Sequence, residues 1–457
     1  MLSCDTLAVT AQFCAHNSNI MAKNSDRPLG EAQPLVWFSP QDHGAGEMVA
    51  CTYISIPQAA HTYGVLGSKP YWIWGFEMGV NERGVAIANE AQGSRDESGE
   101  QCTGLLGMDL LRLGLERGAT AREAINVITG LLGQYGQRGN ASRLFERRYE
   151  NSYMVMDAHE IWILETAGRR WITRQIHTYA AISNCYSIEQ KFDICSSDLE
   201  QHARENGWLF PGEPFNFAKA YTLPASRQTN SVTRWRRMNQ LLAGEKPLDI
   251  PGIRRLMRDH YEDDLLKPRF GAAYGTFSTI CMHAMTWDAC QTTASMQLLY
   301  RAGLGPVARH AMSLPCCSVY LPVYLTGWLP ASMEAGGERF ENKSLWWLFE
   351  RLAMGISADY ERFAPGVQKE ARTLEEQLER EAERAEEQAA TLLGQGKTGQ
   401  ANVILNRMME SAAMQAEGLA LRHYEAVRRQ LEQDRGIWGP RREFLVDYCN
   451  KTGIELI

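Results

Sequence analysis

The fold is decided between residues 4 and 28. Cys4-Asp5-Thr6-Leu7-Ala8-Val9-Thr10 is followed by a polar Asn17-Ser18-Asn19 turn. Ile20-Met21-Ala22-Lys23 then leads into Asn24-Ser25-Asp26-Arg27-Pro28. Two short apolar runs around an Asn-rich turn predict a β-hairpin. A hairpin lays its second strand against its first, so Asp26 is expected beside Cys4. Residues 1 to about 95 continue as strands and turns, including an Asn81-Glu82-Arg83-Gly84 turn that feeds the apolar run Val85-Ala86-Ile87-Ala88.

Helical periodicity begins near Leu105, with Leu105, Met108, Leu111 and Leu115 on one face. Thr120-x-x-Glu123 is a capping-box pattern opening a second helix, with Gly133 and Gly136 as stops. Strand patterns return at 153–156, 161–165, 171–173 and 179–183 as an antiparallel meander. Helices are expected from about 230 to 262 and strands from about 277 to 325. Towards the C-terminus Ala371, Leu374, Leu378, Ala382, Ala385, Ala389 and Leu392 repeat at helical spacing, and a Gly394-Gln395-Gly396 break separates this run from a second helix. The pattern reads as a helical hairpin over about 366–434, a packing or dimerisation appendage whose Glu/Arg-rich flanks are a solvated face. Strands and helices alternate in blocks without a regular βαβ repeat, which argues for an α+β fold with antiparallel sheets.

Composition excludes several classes. A chain of 457 residues that is 44% hydrophobic and 22% charged is neither disordered nor fibrous. Its net charge of −7 gives no global attraction to nucleic acid or anionic lipid. No apolar stretch reaches the roughly 18 residues of a membrane span. Met1-Leu2-Ser3-Cys4-Asp5 does not read as a secretion signal, so a cytoplasmic location is expected. Eleven cysteines without a C-x-x-C pair make a disulfide framework or a zinc site an unexpected use of them. His260 and His283 show no metal-ligand spacing, and no metal or other cofactor is expected.

Cys4 carries the chemistry. Most free cysteines are small buried hydrophobes, and an incidental Cys4 is the plain alternative. If the residues before it are removed, however, one residue holds both a thiol and a free α-amine. An amine of pKa about 7.7–8.0 is partly neutral near pH 7 and can serve as the base for its own thiol. Such a site needs a carboxylate to hold the amine and donors for an oxyanion. Asp26 supplies the first. Asn89 and Asn184, each closing an apolar run, are candidates for the second, although an Asn in that position is ordinarily a turn former.

Six motifs in order carry a resemblance. Cys4-Asp5-Thr6 with Lys23-Asn24-Ser25-Asp26-Arg27-Pro28 resembles the opening of the secernin and dipeptidase A proteins, the C69 peptidases. Asn81-Glu82-x-Gly84-Val85 with Ala88-Asn89-Glu90-Ala91 fits the same family. So do Trp162-Ile163-Leu164-Glu165-Thr166-Ala167-Gly168, Ile182-Ser183-Asn184, Arg258-Asp259-His260-Tyr261-Glu262 and Thr279-Ile280-Cys281-Met282-His283. That family is similar to the choloylglycine hydrolases and penicillin V acylases, which share the N-terminal nucleophile (Ntn) hydrolase fold, a four-layer αββα sandwich.

The resemblance implies a division into a short propeptide (1–3), a catalytic domain (4–340) and a C-terminal helical region (341–457). It implies Cys4 as nucleophile, Asp26 as the carboxylate orienting the amine and Asn89 as a side-chain oxyanion donor. It further implies Asn184 as an amide-binding residue and Arg234 as the arginine that polarises the site. Lys23 falls where the bile-salt relatives carry an Arg, which keeps the charge and loses the bidentate fork. The implied activity is a cysteine-nucleophile dipeptidase working through a thioester. The alternatives are an N-acyl amino acid amidase and a secernin-like interaction protein with little catalysis. For the substrate, Glu77 and Glu90 are candidates for its ammonium and Arg27 for its carboxylate, against the alternative that they are structural charges. Trp72, Trp74 and Trp287 are candidate pocket walls, against the alternative that they are core. The expected partners are a small peptide or amide and further copies of this chain, with no nucleic acid and no membrane.

Overall fold

A computed structural model of the chain describes residues 3–96, 103–144, 146–224, 229–244, 246–265, 267, 278–284, 286, 289–434 and 442–456. Met1, Leu2 and Trp287 therefore lie outside the described residues.

The opening hairpin forms as its sequence predicts. Strand Cys4–Val9 pairs antiparallel with Ile20–Pro28, with Cys4 opposite Ser25 and Asp5 opposite Asn24. Around it lies a six-stranded antiparallel sheet in the order Tyr179–Ile182, Cys4–Val9, Ile20–Pro28, Cys290–Arg301, Gly305–Met312, Leu321–Tyr324. A second antiparallel sheet has eight strands: Ile194–Cys195, Arg170–Ile176, Ile161–Ala167, Glu150–Met156, Ala86–Gln92, Met78–Asn81, Val65–Ser68 and Leu35–Phe38.

The central strands of the second sheet are buried on both faces, and their parity shows why. Ala86, Ala88, Met154, Met156, Ile161 and Ile163 belong to the large core shared with the first sheet. Their neighbours Val85, Ile87, Tyr153, Val155, Trp162 and Leu164 belong to a separate core beneath helices Gly107–Arg117 and Ala121–Tyr135. A strand covered on both faces reads as a near-continuous apolar run, which explains 85–88, 153–156 and 161–164. Buried polar residues that flank these runs, Asn89 and Asn151 among them, are held by partners of their own. Helices Thr229–Leu242, Ile250–Met257 and Leu345–Ser357 pack against the six-stranded sheet. The resulting order is helix, sheet, sheet, helix: α+β, antiparallel, in four layers, with further helices towards the C-terminus.

Helix ends follow local chemistry. The Thr120 side chain accepts from the Glu123 backbone N–H at 3.2 Å, and Glu123 reaches back to Ala119 N–H at 2.8 Å. The helix runs through Gly133 and stops at Gly136, whose φ of +70° suits glycine. The region 230–262 divides into two helices, Thr229–Leu242 and Ile250–Met257. The C-terminal pair, Tyr360–Gly394 and Thr398–Gln433, begins earlier than the expected 366 because Pro365 is carried inside its first helix.

The charged run of that helix is not wholly a solvated face. Glu379 and Glu386 point inward to the fully buried Arg309, at 2.8 and 2.7 Å, and Glu375 pairs with Arg258 at 2.5 Å. These carboxylates anchor the hairpin to the sheet, a contact that helical periodicity does not show. No helix among the described residues is long and apolar enough to cross a membrane.

Candidate active site

The hairpin register brings Asp26 alongside Cys4. The Asp26 backbone N–H donates to the Cys4 Sγ at 3.3 Å. The Asp26 carboxylate accepts from the Thr292 hydroxyl at 2.6 Å through Oδ1, and Thr292 is its register partner on Cys290–Arg301. Asp26 Oδ2 is buried and has no hydrogen-bond partner among the described residues. Burial raises the Asp26 carboxyl well above its ordinary value, opposed by the Thr292 hydrogen bond.

The other strand beside Cys4–Val9 delivers Asn184. The nitrogen of Cys4, in peptide linkage to Ser3, donates to Asn184 Oδ1 at 2.7 Å. Arg234 Nη2 donates to the same oxygen at 2.8 Å, and Asn184 Nδ2 donates to the Ala91 carbonyl at 2.9 Å. The guanidinium of Arg234 is fully buried. It also reaches Asp5 Oδ2 (2.8 Å), Ser278 Oγ (2.7 Å) and Ser183 Oγ (3.2 Å). Ser183 in turn donates to the Cys4 carbonyl at 3.3 Å. Burial works against the Arg234 charge, but Asp5 and Asp26 outweigh it and hold the group above its ordinary value.

Lys23 is the cation whose charge acts on the thiol. Its ammonium, 1% exposed, bonds to Glu77 Oε2 (3.1 Å), the Glu77 carbonyl (3.0 Å), Asn89 Oδ1 (3.0 Å) and the Asn89 carbonyl. Burial lifts the Cys4 thiol well above its ordinary value, and the Lys23 charge pulls the other way. Asn89 is thus tied to the site through Lys23. One of its amide hydrogens goes to Asn151 Oδ1 at 2.9 Å, leaving a second N–H to give.

The substrate-binding candidates are held differently. Arg27 spends its guanidinium on Glu31 (2.7 Å), Glu77 Oε1 (3.0 Å) and the Ala141 carbonyl (2.9 Å). Both Glu77 oxygens are therefore taken by cations of the chain itself, one by Lys23 and one by Arg27. A substrate ammonium or carboxylate would have to compete with these buried pairs. Glu90 accepts from the Thr6 hydroxyl at 2.5 Å, and burial, opposed by Lys23, pushes its carboxyl up to about 8. Trp72 is half-buried against a small cluster containing Ile73, Leu106, Met108, Ala141 and Tyr149. Trp74 lines a different cavity of about 290 Å³, together with Phe38, Tyr63 and Arg112.

Three supporting residues were not singled out from the sequence: Thr292, Asn151 and Ser278. Each touches a candidate residue only through long-range pairing, and each is a common polar residue without a motif. A larger omission concerns His260, Cys281, His283 and Cys316. Sequence spacing suggested no metal set, yet their ligand atoms lie within 4.8 Å of one another.

The sequence profile described as peptidase family C69 matches residues 3–373. The chain is 25% identical over 242 residues to a dipeptidase of Bifidobacterium longum, covering 45% of this chain and 43% of the relative. It is 25% identical over 316 residues to a probable dipeptidase A of Streptococcus pyogenes, covering 58% and 64%. The matched part of the chain thus spans less than two thirds of either relative. Among solved structures, a conjugated bile acid hydrolase of Clostridium perfringens aligns with TM-score 0.37 at 11% identity, covering 67% of this chain and 89% of that one.

Proposed function

The chain belongs to peptidase family C69, and from that premise we propose that it is a cysteine-nucleophile dipeptidase that uses the α-amine of Cys4 as its base. One observation carries this reading. The nitrogen that cleavage before Cys4 would free is already held by Asn184, and the residue whose N–H reaches the thiol, Asp26, keeps a buried carboxylate oxygen unengaged among the described residues.

The proposed cycle is acyl transfer. The thiol gives its proton to the Cys4 amine and the sulfur attacks the amide carbonyl of the substrate. Asn89 and a backbone N–H hold the tetrahedral oxyanion. As the C–N bond breaks, the amine passes the proton to the leaving nitrogen, and water then hydrolyses the thioester. Asp26 keeps the amine oriented, Asn184 and Arg234 position the scissile amide, and Lys23 favours the thiolate. In this reading Arg27, Glu77, Glu90 and Trp72 shape the substrate end of the site.

The α-amine must first be exposed. The Cys4 thiol attacks the Ser3 carbonyl carbon, and the Ser3–Cys4 C–N bond breaks to leave a thioester and a protonated, free α-amine. Water then hydrolyses the thioester, releasing the preceding peptide as its carboxylate and restoring the thiol. This proposal includes an assembly of copies through the C-terminal helices and a cytoplasmic location, which the ten described free thiols suit.

Intact mass and turnover test the reading together. Active protein should begin at Cys4, hydrolyse dipeptides, and lose both properties in Cys4→Ala. Turnover of N-acyl amino acids in place of dipeptides would move the assignment to an amidase. Full activity with the preceding residues still attached would overturn the amine-as-base mechanism.

A further inference from the structure

The acyl-transfer chemistry leaves one group of metal-ligating side chains unused. We propose that His260, Cys281, His283 and Cys316 form a structural zinc site, a closed four-ligand centre that takes one Zn²⁺ per chain. This inference does not rest on the dipeptidase reading.

The four ligand atoms all lie within 4.8 Å of one another, close enough to share one ion. His283 Nε2 lies 3.2 Å from His260 Nε2, 3.3 Å from Cys316 Sγ and 4.0 Å from Cys281 Sγ. A zinc ion with Zn–S of about 2.3 Å and Zn–N of about 2.0–2.1 Å sets ligand-to-ligand edges of about 3.3–3.8 Å. The three separations from His283 Nε2 bracket those edges, and a modest closing of the set around an ion would bring the others to them. Two sulfurs and two imidazole nitrogens are also a donor set that selects zinc over calcium or magnesium. With both thiols deprotonated the centre carries no net charge, which suits a site where all four residues are at most 6% exposed.

The surroundings orient the ligands. His260 Nδ1 faces Glu262 Oε1 at 3.3 Å, which turns Nε2 towards the other three residues. A carboxylate behind a histidine in this way fixes the ring and its tautomer for a metal. The Tyr360 hydroxyl donates to Cys316 Sγ at 3.6 Å. Four protein ligands leave no open coordination position, so the centre is structural and takes no part in turnover.

Its position suggests what it secures. The ligands come from the turn after helix Ile250–Met257, the segment 278–284 and the short turn Pro315–Cys317. The middle segment also supports the thiol site. Ser278 accepts from Arg234, and Met282 N–H donates to Thr292 Oγ1 at 2.9 Å, the hydroxyl that holds Asp26. Asn24 Nδ2 adds a bond to the Ile280 carbonyl at 2.9 Å. A zinc ion would therefore pin the peptide on which both Arg234 and Asp26 lean.

The test uses the full chain purified without added metal or chelator. Elemental analysis should return about one zinc per chain, as a closed site predicts. Stripping the metal with a strong chelator should lower Tm by roughly 5 °C or more, with recovery on adding zinc alone. Cobalt(II) exchanged into the stripped protein should show tetrahedral d–d bands and a thiolate-to-cobalt charge-transfer band. His283→Ala should lose the zinc, whereas His310→Ala, which alters another buried histidine, should keep it. Folded protein that is purified without zinc and takes none up when zinc is supplied, cobalt bound without the thiolate band, or a Cys281–Cys316 disulfide in the native chain would each overturn the proposal. Metal content and the cobalt spectrum are read without turnover, so they stand or fall separately from the dipeptidase assignment.

Discussion

Arg234 and Asp5 stand 229 positions apart in the chain and 2.8 Å apart in the fold, with their side chains 0% and 1% exposed. Through the same guanidinium, Arg234 also holds Asn184, Ser183 and Ser278, so one cation fixes both neighbours of the Cys4 main chain. Removing one partner of a buried pair strands the other charge, at about 3–5 kcal/mol. Arg234→Ala should therefore lose stability of that order in denaturant titration. Arg234→Lys keeps the charge but has no planar fork for four acceptors. It should remain folded and lose kcat more than KM, because the fault is in the placement of Asn184. Equal kcat in the lysine variant and the parent would show that the fork is unnecessary.

Asn89 makes a separate prediction. Loss of one oxyanion donor typically costs about 2.7–4 kcal/mol of transition-state stabilisation. On the proposed mechanism, with Asn89 as the oxyanion donor, Asn89→Ala should lower kcat by about 10²–10³ with little change in KM, measured on a dipeptide that the parent is found to hydrolyse. A rise in KM with kcat unchanged would assign Asn89 to substrate binding instead.

Glu90 gives the site a pH signature. Its carboxyl sits near 8 in the folded chain against an ordinary 4.5, chiefly because it is buried. The folded state therefore binds the proton more tightly than the unfolded state. That stabilisation is complete below about pH 4.5 and is lost as pH rises towards 8. At about 1.36 kcal/mol per pH unit the full window amounts to at most roughly 5 kcal/mol. Glu90→Gln keeps an acceptor for Thr6 and removes the titration. Its Tm should gain on the parent steadily between pH 5 and 8, and parallel curves would place the titration elsewhere.

The sequence showed the parts of the fold that local rules determine. The hairpin, the Thr120 cap and the alternation of strand and helix blocks are set by residues within a few positions of one another. The Cys4–Asp26 proximity was legible because a hairpin specifies its own register. What remained hidden depends on pairing between distant strands. Thr292 meets Asp26 through a register between residues 28 and 290, and Glu379 meets Arg309 through packing of a helix on a sheet. The same holds for His260, Cys281, His283 and Cys316, where only Cys281 and His283 are close in sequence. The charge pairing of Arg27 with Glu77 was also invisible, since each residue taken alone reads as an available ion.

The proposed assembly has a surface to test. Val403, Met414 and Leu421 on helix Thr398–Gln433 are 47%, 63% and 37% exposed. Their spacings of 11 and 7 residues bring them onto one line along the helix, at about 100° per residue. Met414→Glu with Leu421→Glu should shift the mass measured by light scattering to that of a single chain, with the melting curve little changed. An unchanged mass would put the contact elsewhere or show that the chain is a monomer.

Gly107 tests the support behind Asn89. It opens helix Gly107–Arg117, and a Cβ there would lie 2.0 Å from Asn151 Nδ2 and 2.4 Å from Oδ1. Asn151 accepts from Asn89 through that Oδ1 and donates to Gln137 Oε1 at 2.6 Å, so it cannot yield without releasing one of them. Alanine favours a helix over glycine by only up to about 1 kcal/mol, too little to offset a displaced buried amide at about 1–3 kcal/mol. Gly107→Ala should thus lower both stability and kcat. Adding Asn151→Ala makes room for the methyl group and should recover stability relative to the single variant, while kcat stays low because Asn89 has lost its holder. That non-additive pattern, stability rescued and turnover not, is what a double-mutant cycle would read. Recovery of both together would show that Asn151 only fills space beneath the strand.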